Sequence, residues 1–342
     1  RRTCAACFVV EVTTCGSARW NKCNWCGNDV PDTSRPVTHL VLSHGVDDEG
    51  AEIIASSLVY LKALKLCKCG NLTGLGFEKL FGHPGLETLQ VIGAKLGQLS
   101  RAATTTATRS ITALDLSRCK LSEGNSLLQH IITLPLIRIL ILEDCAGVDD
   151  QSIACLAALK HLQRLRMATC RLSDACLVHL MTLPMLQELD LSDNWRISGS
   201  GFVRVTATVT DDSKNNATII HKRLLPELRT LILLECTEVV KFSGICAFHW
   251  LEALDLFRSR SLRDEDLTLI SSSLTGLTTL DIGECDRITD AGVAALTSLG
   301  SLTNLRFGPT DAFTDSGMLH VAKLLRLTEL TVWGYRIDSV GL

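Results

Sequence analysis

The sequence predicts an α/β fold, a horseshoe-shaped solenoid of about twelve strand-turn-helix repeats preceded by a small cysteine-rich segment. Two observations predict it: a short pattern of aliphatic residues recurs at nearly constant spacing, and a helix-like pattern follows each copy. The chain has 342 residues with 46% hydrophobic content and a net charge of −3. It is therefore long enough to bury a continuous core.

The repeated pattern is Leu-x-x-Leu-x-Leu-x-x-Cys, and Leu61 to Cys69 is one copy of it. Marked by their second aliphatic residue, the twelve copies lie at positions 40, 64, 89, 114, 140, 165, 189, 231, 254, 280, 305 and 330. Ten of the eleven intervals between these marks measure 23 to 26 residues. This is the period of leucine-rich repeats, which stack so that each unit buries the apolar face of its neighbour.

Each half of a repeat has a physical role. Alternate leucines of a short parallel strand point into the core, and the residues between them face outward. The stretches that begin at Leu172, Ile288 and Phe313 then show helical spacing. A Ser or Thr near their start supplies an N-cap oxygen, and the Asp that follows favours the positive end of the helix dipole.

One interval departs from the period. Leu189 and Leu231 are 42 residues apart, and the surplus lies near residues 203–224 in a polar, turn-rich run. This insertion is either a tolerated surface loop, because loop closure costs rise slowly with length, or a loop that contacts a partner.

Six of the fifteen cysteines share the last position of the pattern, with Asn194 as a seventh equivalent. We expect these side chains to hydrogen-bond to the backbone and to bridge successive coils. So many thiols in an oxidising compartment would mispair, which favours an intracellular location, cytoplasmic or nuclear. The six are Cys69, Cys119, Cys145, Cys170, Cys236 and Cys285.

Five further cysteines crowd the first 26 residues: Cys4, Cys7, Cys15, Cys23 and Cys26. Two C-x-x-C pairs separated by fifteen residues have the spacing of a zinc site, and metal binding would supply folding energy that so short a segment lacks. We therefore predict zinc as cofactor in a domain over residues 1–32, followed by the repeats over residues 33–342. A disulfide knot is the alternative, and His39 and His44 are interpreted as surface histidines.

The order Cys4-x-x-Cys7, then Cys23-Asn24-Trp25-Cys26, resembles the second half of a RING finger. That resemblance implies two cross-braced zinc ions whose remaining ligands lie upstream of Arg1, although Asn24 replaces the usual proline and Cys15 has no assigned role. The combination of such a finger with cysteine-type leucine-rich repeats resembles the trypanosome expression-site-associated proteins described as adenylate cyclase regulators. This resemblance implies an interaction protein with adenylate cyclase or a ubiquitin-conjugating enzyme among its partners.

The outward strand residues line the concave face of the predicted solenoid, the usual contact surface of such proteins. Apolar side chains on an exposed sheet favour a covering partner, whereas an Asp between two leucines is common in these repeats. The predicted partner-binding residues are Ile141, Glu143, Arg166, Asp190, Ile232, Leu234, Asp255, Phe257, Asp281, Arg306 and Trp333.

Other classes of function lack support. The sequence shows no nucleophile elbow, phosphate-binding glycine loop or His-Glu-x-x-His motif, and its charge does not favour nucleic acid. No apolar run is long enough to span a membrane. Three hypotheses follow: a non-catalytic interaction scaffold, a RING-type ubiquitin ligase whose repeats select the substrate, and an extracellular receptor that would need disulfides.

Overall fold

The computed structural model describes residues 20–22, 29–31, 37–43, 45–97, 110–121, 126–203, 225–308 and 312–332. The chain divides into two compact units, Arg1–Val148 and Asp149–Leu342. Each unit contains stacked repeats, and we describe each by itself.

Short strands occur in both units, and most of them begin a repeat. In the first unit they are β1 (Trp20–Lys22), β2 (Asp29–Pro31), β3 (His39–Leu42), β4 (Ala63–Leu66), β5 (Thr88–Val91), β6 (Lys95–Leu96), β7 (Ala113–Asp115), β8 (Lys120–Leu121) and β9 (Ile139–Ile141). In the second unit they are β10 (Arg164–Arg166), β11 (Glu188–Asp190), β12 (Thr230–Ile232), β13 (Ala253–Asp255), β14 (Thr279–Gly283), β15 (Asn304–Gly308) and β16 (Glu329–Val332).

The pairing of the strands follows their order in the chain. In the first unit β3, β4, β5, β7 and β9 form a parallel sheet, β6 pairs with β8, and β1 pairs with β2 antiparallel. In the second unit β10 to β16 form a parallel sheet in sequential order. The predicted marks are register partners, as Leu189 opposite Leu231 shows. The prediction of stacked parallel strands is therefore confirmed.

Short helical segments return the chain to the next strand. The α-helices are Asp48–Ser57, Gly74–Phe81, Ser126–Ile131, Leu177–Leu180, Asp264–Ser273, Asp290–Ala295 and Asp315–Val321. Tight 3₁₀ turns cover Ser152–Ala158, Asp174–Cys176, Phe242–Ala247 and Leu296–Ser298. The second half of a repeat thus varies between α-helix and 3₁₀ turn, because pieces this short gain little from regular α-helical bonding.

The inward leucines form the core between strands and helices. Leu189, Leu231 and Leu280 expose 0% of their surface, and Phe202 and Phe248 pack edge to face behind them with ring centroids 6.0 Å apart. Burial of one such side chain contributes roughly 2 kcal/mol. The alternation of buried and outward residues that the sequence predicted is therefore what holds each unit together.

Four of the six consensus cysteines form hydrogen bonds to the preceding repeat: Cys119, Cys145, Cys236 and Cys285. Cys119 Sγ lies 3.2 Å from Val91 O, and Cys285 Sγ lies 3.3 Å from Leu256 O, so each thiol donates to a carbonyl of the repeat before it. Burial raises the pKa of the Cys285 thiol to about 12, which keeps the proton that makes this bond. The predicted bridging role is confirmed for these four cysteines and for Asn194, whose Nδ2 donates to Met167 O at 2.9 Å. The thiols of Cys69 and Cys170 instead bond to Cys67 O and Ala168 O within their own repeats.

The long interval leaves the sheet intact. Leu189 and Leu231 pair directly in β11 and β12, and Cys236 Sγ donates to Leu191 O at 3.2 Å across the same gap. Residues 204–224, which hold nearly all of the insertion, lie outside the described residues. Both interpretations of the insertion stay predictions.

Candidate functional site

In the second unit, six predicted residues share one register level on the outward face of adjacent strands. Backbone pairing aligns them across β10 to β15 in the order cation, acid, aliphatic, acid, acid, cation. We call this set the central row: Arg166, Asp190, Ile232, Asp255, Asp281 and Arg306. Strands of one sheet lie about 4.8 Å apart, so the row is continuous at the scale of side-chain contacts.

The three aspartates of the central row turn one carboxylate oxygen back onto their own strands. Asp190 Oδ1 accepts from Ser192 N at 3.0 Å and from Ser192 Oγ at 2.5 Å. Asp281 Oδ1 accepts from Gly283 N at 2.9 Å, and its side chain is only 13% exposed. The aspartates are therefore more buried than an acid on an open sheet surface, and part of their bonding is local.

The cations at both ends of the central row pair with acids of the same face. Arg166 Nη2 lies 2.6 Å from Glu188 Oε1, and Arg164 Nε lies 3.5 Å from Glu188 Oε2. At the other end, Arg306 Nη1 lies 3.8 Å from Asp281 Oδ2. Because the arginines are exposed, these pairs stabilise the fold little, but they hold the arginines beside the acids.

Asp255 is the acid of the central row with the least compensation. Its Oδ1 accepts from Phe257 N at 2.9 Å, and no ion pair with it occurs in the part of the chain that the structure describes. Burial, followed by the charges of Asp281 and Asp190, raises the pKa of the Asp255 carboxyl to about 6. Burial and the neighbouring negative charges therefore both disfavour the ionised form of the Asp255 carboxyl.

Apolar side chains accompany the acids. Ile232 is the last residue of β12, Leu234 and Phe257 lie in the turns just after β12 and β13, and all three are half-buried. The Arg258 guanidinium carbon lies 5.2 Å from the centroid of the Phe257 ring, within the range of a cation–π contact. The face thus combines partly exposed apolar side chains with acid groups.

Two acids that the sequence pattern did not predict as site residues, Glu235 and Glu284, hold Arg258. Its Nη1 lies 2.6 Å from Glu235 Oε1, and its Nε lies 2.5 Å from Glu284 Oε2. All three residues have positive φ values, from 54° to 61°, and each comes directly before the bridging position of its repeat. The signal was available, since charged residues of alternating sign occupy this position in three successive repeats.

The remaining predicted residues fall elsewhere. Ile141 ends β9 and Glu143 follows it, both half-buried in the first unit. Trp333 lies outside the described residues, as do the predicted zinc ligands Cys4, Cys7, Cys15, Cys23 and Cys26. The structure therefore brings together the predicted residues of the second unit and tests neither Trp333 nor the zinc site.

The described residues hold no group of three or more His, Cys, Asp or Glu side chains arranged to bind a metal ion. Their ten cysteines are all free thiols. None of the helices in the described ranges combines the length and the hydropathy that a membrane span requires.

Comparisons with known proteins support the fold. A leucine-rich-repeat family model matches residues 182–203 and 274–296. None of the curated proteins matches the chain. The structure is similar to that of the Rad7 and Elc1 complex in yeast, with 16% identity and a TM-score of 0.50 over 82% of this chain and 78% of that one.

Two further solved structures are similar. An internalin, InlF from Listeria monocytogenes, is 16% identical with a TM-score of 0.46 over 92% of this chain and 86% of that one. The TLR13–ssRNA13 complex is 19% identical with a TM-score of 0.57 over 87% of this chain, which spans 40% of that one. Strand order, register and the matched repeats agree: the chain carries leucine-rich repeats in an α/β fold.

Proposed function

We propose that the chain is a non-catalytic interaction module that binds a protein partner on the outward face of β10 to β15. The observation that carries this proposal is the group Ile232, Leu234 and Phe257, which remain half-buried on that face although the inward side of the same strands is fully packed. Apolar side chains beside charged groups are typical of interfaces with a desolvated centre and a polar rim.

Site-specific photocrosslinking tests this proposal. A benzophenone side chain replaces Phe257 in one variant and the exposed Arg306 in a second, and it replaces Leu269, exposed on the helix Asp264–Ser273, in a control. We expect the same protein to be crosslinked from positions 257 and 306 and not from 269. Equal crosslinking from position 269, or none from 257 and 306, would place binding elsewhere.

A second proposal concerns residues 1–32. Cys23 and Cys26 lie in sequence between β1 and β2, which pair antiparallel, and a C-x-x-C pair between two such strands is compatible with zinc. A finger that binds zinc would support ubiquitin transfer as the alternative function, with the repeats selecting the substrate. If the protein partner of the first proposal is an adenylate cyclase, the module would regulate that enzyme.

Metal analysis of the full chain tests the zinc proposal. We expect about one zinc ion per chain or more, lost on substitution of Cys23 and Cys26 by Ser and kept in Cys285→Ser as the control. Ubiquitin transfer by the zinc-loaded chain would favour the ligase. Disulfides among the first five cysteines on non-reducing gels would contradict zinc and the proposed reducing compartment, and would favour a receptor.

A further inference from the structure

We propose that the central row binds a basic side chain, arginine or lysine, which a protein partner presents next to an apolar residue. The inference rests on the proposed function, because it names the chemistry of the partner that the same face would bind.

The charges of the central row favour an additional cation near Asp255. Arg166 pairs with Glu188, and Arg306 reaches Asp281, so the two cations of the row lie at its ends. Arg258, whose guanidinium lies over Phe257, is paired with Glu235 and Glu284. Asp255 accepts one bond, from a backbone N–H. The centre of the row therefore carries negative charge that Arg306 balances only in part, and a cation from outside complements it.

The shape of the row fits a long basic side chain. Ile232 lies between Asp190 and Asp255, which the strand spacing separates by about 10 Å. An aliphatic stem laid on Ile232 and Phe257 would carry its cationic head to the Asp255 carboxylate, as the stems of Lys and Arg commonly cover apolar surface. An apolar neighbour in the partner would then contact Leu234.

The fold itself does not require this charge. The bond from Phe257 N needs an acceptor oxygen, which the amide of Asn supplies as well as a carboxylate does. Asp255 lies directly opposite Asp281 in the strand register, and like charges in that relation are destabilising. A charge that the fold disfavours, placed beside a half-buried apolar group, is more consistent with binding than with stability.

A displayed library of random peptides, selected on the full chain, tests the inference. We expect the enriched peptides to contain Arg or Lys next to an apolar residue. A synthetic copy of one should bind Asp255→Asn about tenfold more weakly or worse than it binds the unmodified chain. Its affinity for Glu265→Gln, an exposed acid on the helix Asp264–Ser273, should stay unchanged.

The outcomes separate the inference from the proposed function. Peptides that lack a basic residue, or that bind Asp255→Asn with unchanged affinity, overturn the inference, and so does the absence of any enrichment. If such peptides still bind Phe257→Ala more weakly than the unmodified chain, the proposed function stands without the inference. Binding that ignores both substitutions contradicts the two together. Thermal unfolding of each variant shows that it is folded.

Discussion

Asp264 accepts two hydrogen bonds from Thr289, the residue that caps the next helix. Thr289 N donates to Oδ1 at 2.9 Å, and Thr289 Oγ1 donates to Oδ2 at 2.6 Å. The hydroxyl oxygen of Thr289 in turn accepts from Ala291 N at 3.1 Å, as an N-cap does. Asp264 therefore orients the cap of the following repeat, and the helices of successive repeats are joined by side chains as well as by packing.

We expect Asp264→Ala to lower the free energy of unfolding by about 2 kcal/mol, because it removes two bonds to a charged acceptor and loosens the cap of Thr289. Urea unfolding followed by circular dichroism measures the change. Glu265→Ala, an exposed acid of the same helical turn, is the control and should change stability by less than about 0.5 kcal/mol.

A double-mutant cycle with Thr289→Val tests whether the two side chains act together. The combined loss should be smaller than the sum of the single losses, because either substitution alone breaks the shared bond. Strictly additive losses would mean that Asp264 stabilises only its own helix, through the helix dipole.

Sequence reasoning predicted one half of this arrangement. A Ser or Thr cap followed by Asp indicates a helix start, and the caps Thr289 and Thr314 are confirmed. The bond from one repeat to the next joins residues 25 positions apart, so no single repeat shows it. The structure also explains Gly292, where a Cβ would collide with the Asp264 carboxylate.

The bridging position leads to a second prediction. Ser259 occupies it between Cys236 and Cys285, and its buried hydroxyl oxygen has no hydrogen-bond partner within the described residues. Because sulfur is larger and extends farther from Cβ than oxygen, we expect Ser259→Cys to fill the position and to reach a carbonyl of the preceding repeat. The gain should be about 1 kcal/mol in the free energy of unfolding.

Cys285→Ser is the matched control for Ser259→Cys. It places a hydroxyl where a thiol now donates to Leu256 O, and it should lower stability by about 1 kcal/mol. Chemical denaturation under reducing conditions measures both variants. A stability loss in Ser259→Cys would show that the site has no room for sulfur.

The outward face was also predictable only in part. The repeat marks placed Asp190, Ile232 and Asp255 at one level, because side chains alternate strictly along a strand. The ion pairs were not predictable, because they depend on rotamers of long side chains: Arg166 reaches Glu188 at the level before its own. Those pairs also determine how much of each aspartate's negative charge is balanced, so this could not be predicted from the sequence.

The raised pKa of Asp255 predicts the pH dependence of stability. The folded carboxyl titrates at about 6 and the unfolded one at 3.8, so between these values the folded state holds the extra proton and stability falls as pH rises. Above about pH 7, where the folded carboxyl is fully ionised, the full penalty applies. We expect Asp255→Asn, which keeps the acceptor for Phe257 N, to be more stable than the unmodified chain by about 1 kcal/mol at pH 7.5, after allowance for partial solvent screening.

The difference in the free energy of unfolding between Asp255→Asn and the unmodified chain isolates the contribution of the Asp255 carboxyl, because the other titrating groups are common to both chains. It should be constant above about pH 7 and should shrink as pH falls, approaching zero below about pH 3, where Asp255 is protonated in both the folded and the unfolded state. Glu265→Gln should give a small difference at every pH. A loss of stability in Asp255→Asn at pH 7.5 would mean that the carboxylate is balanced by a cation in the native state. That result would contradict the unpaired negative charge on which the proposed binding of a basic side chain depends.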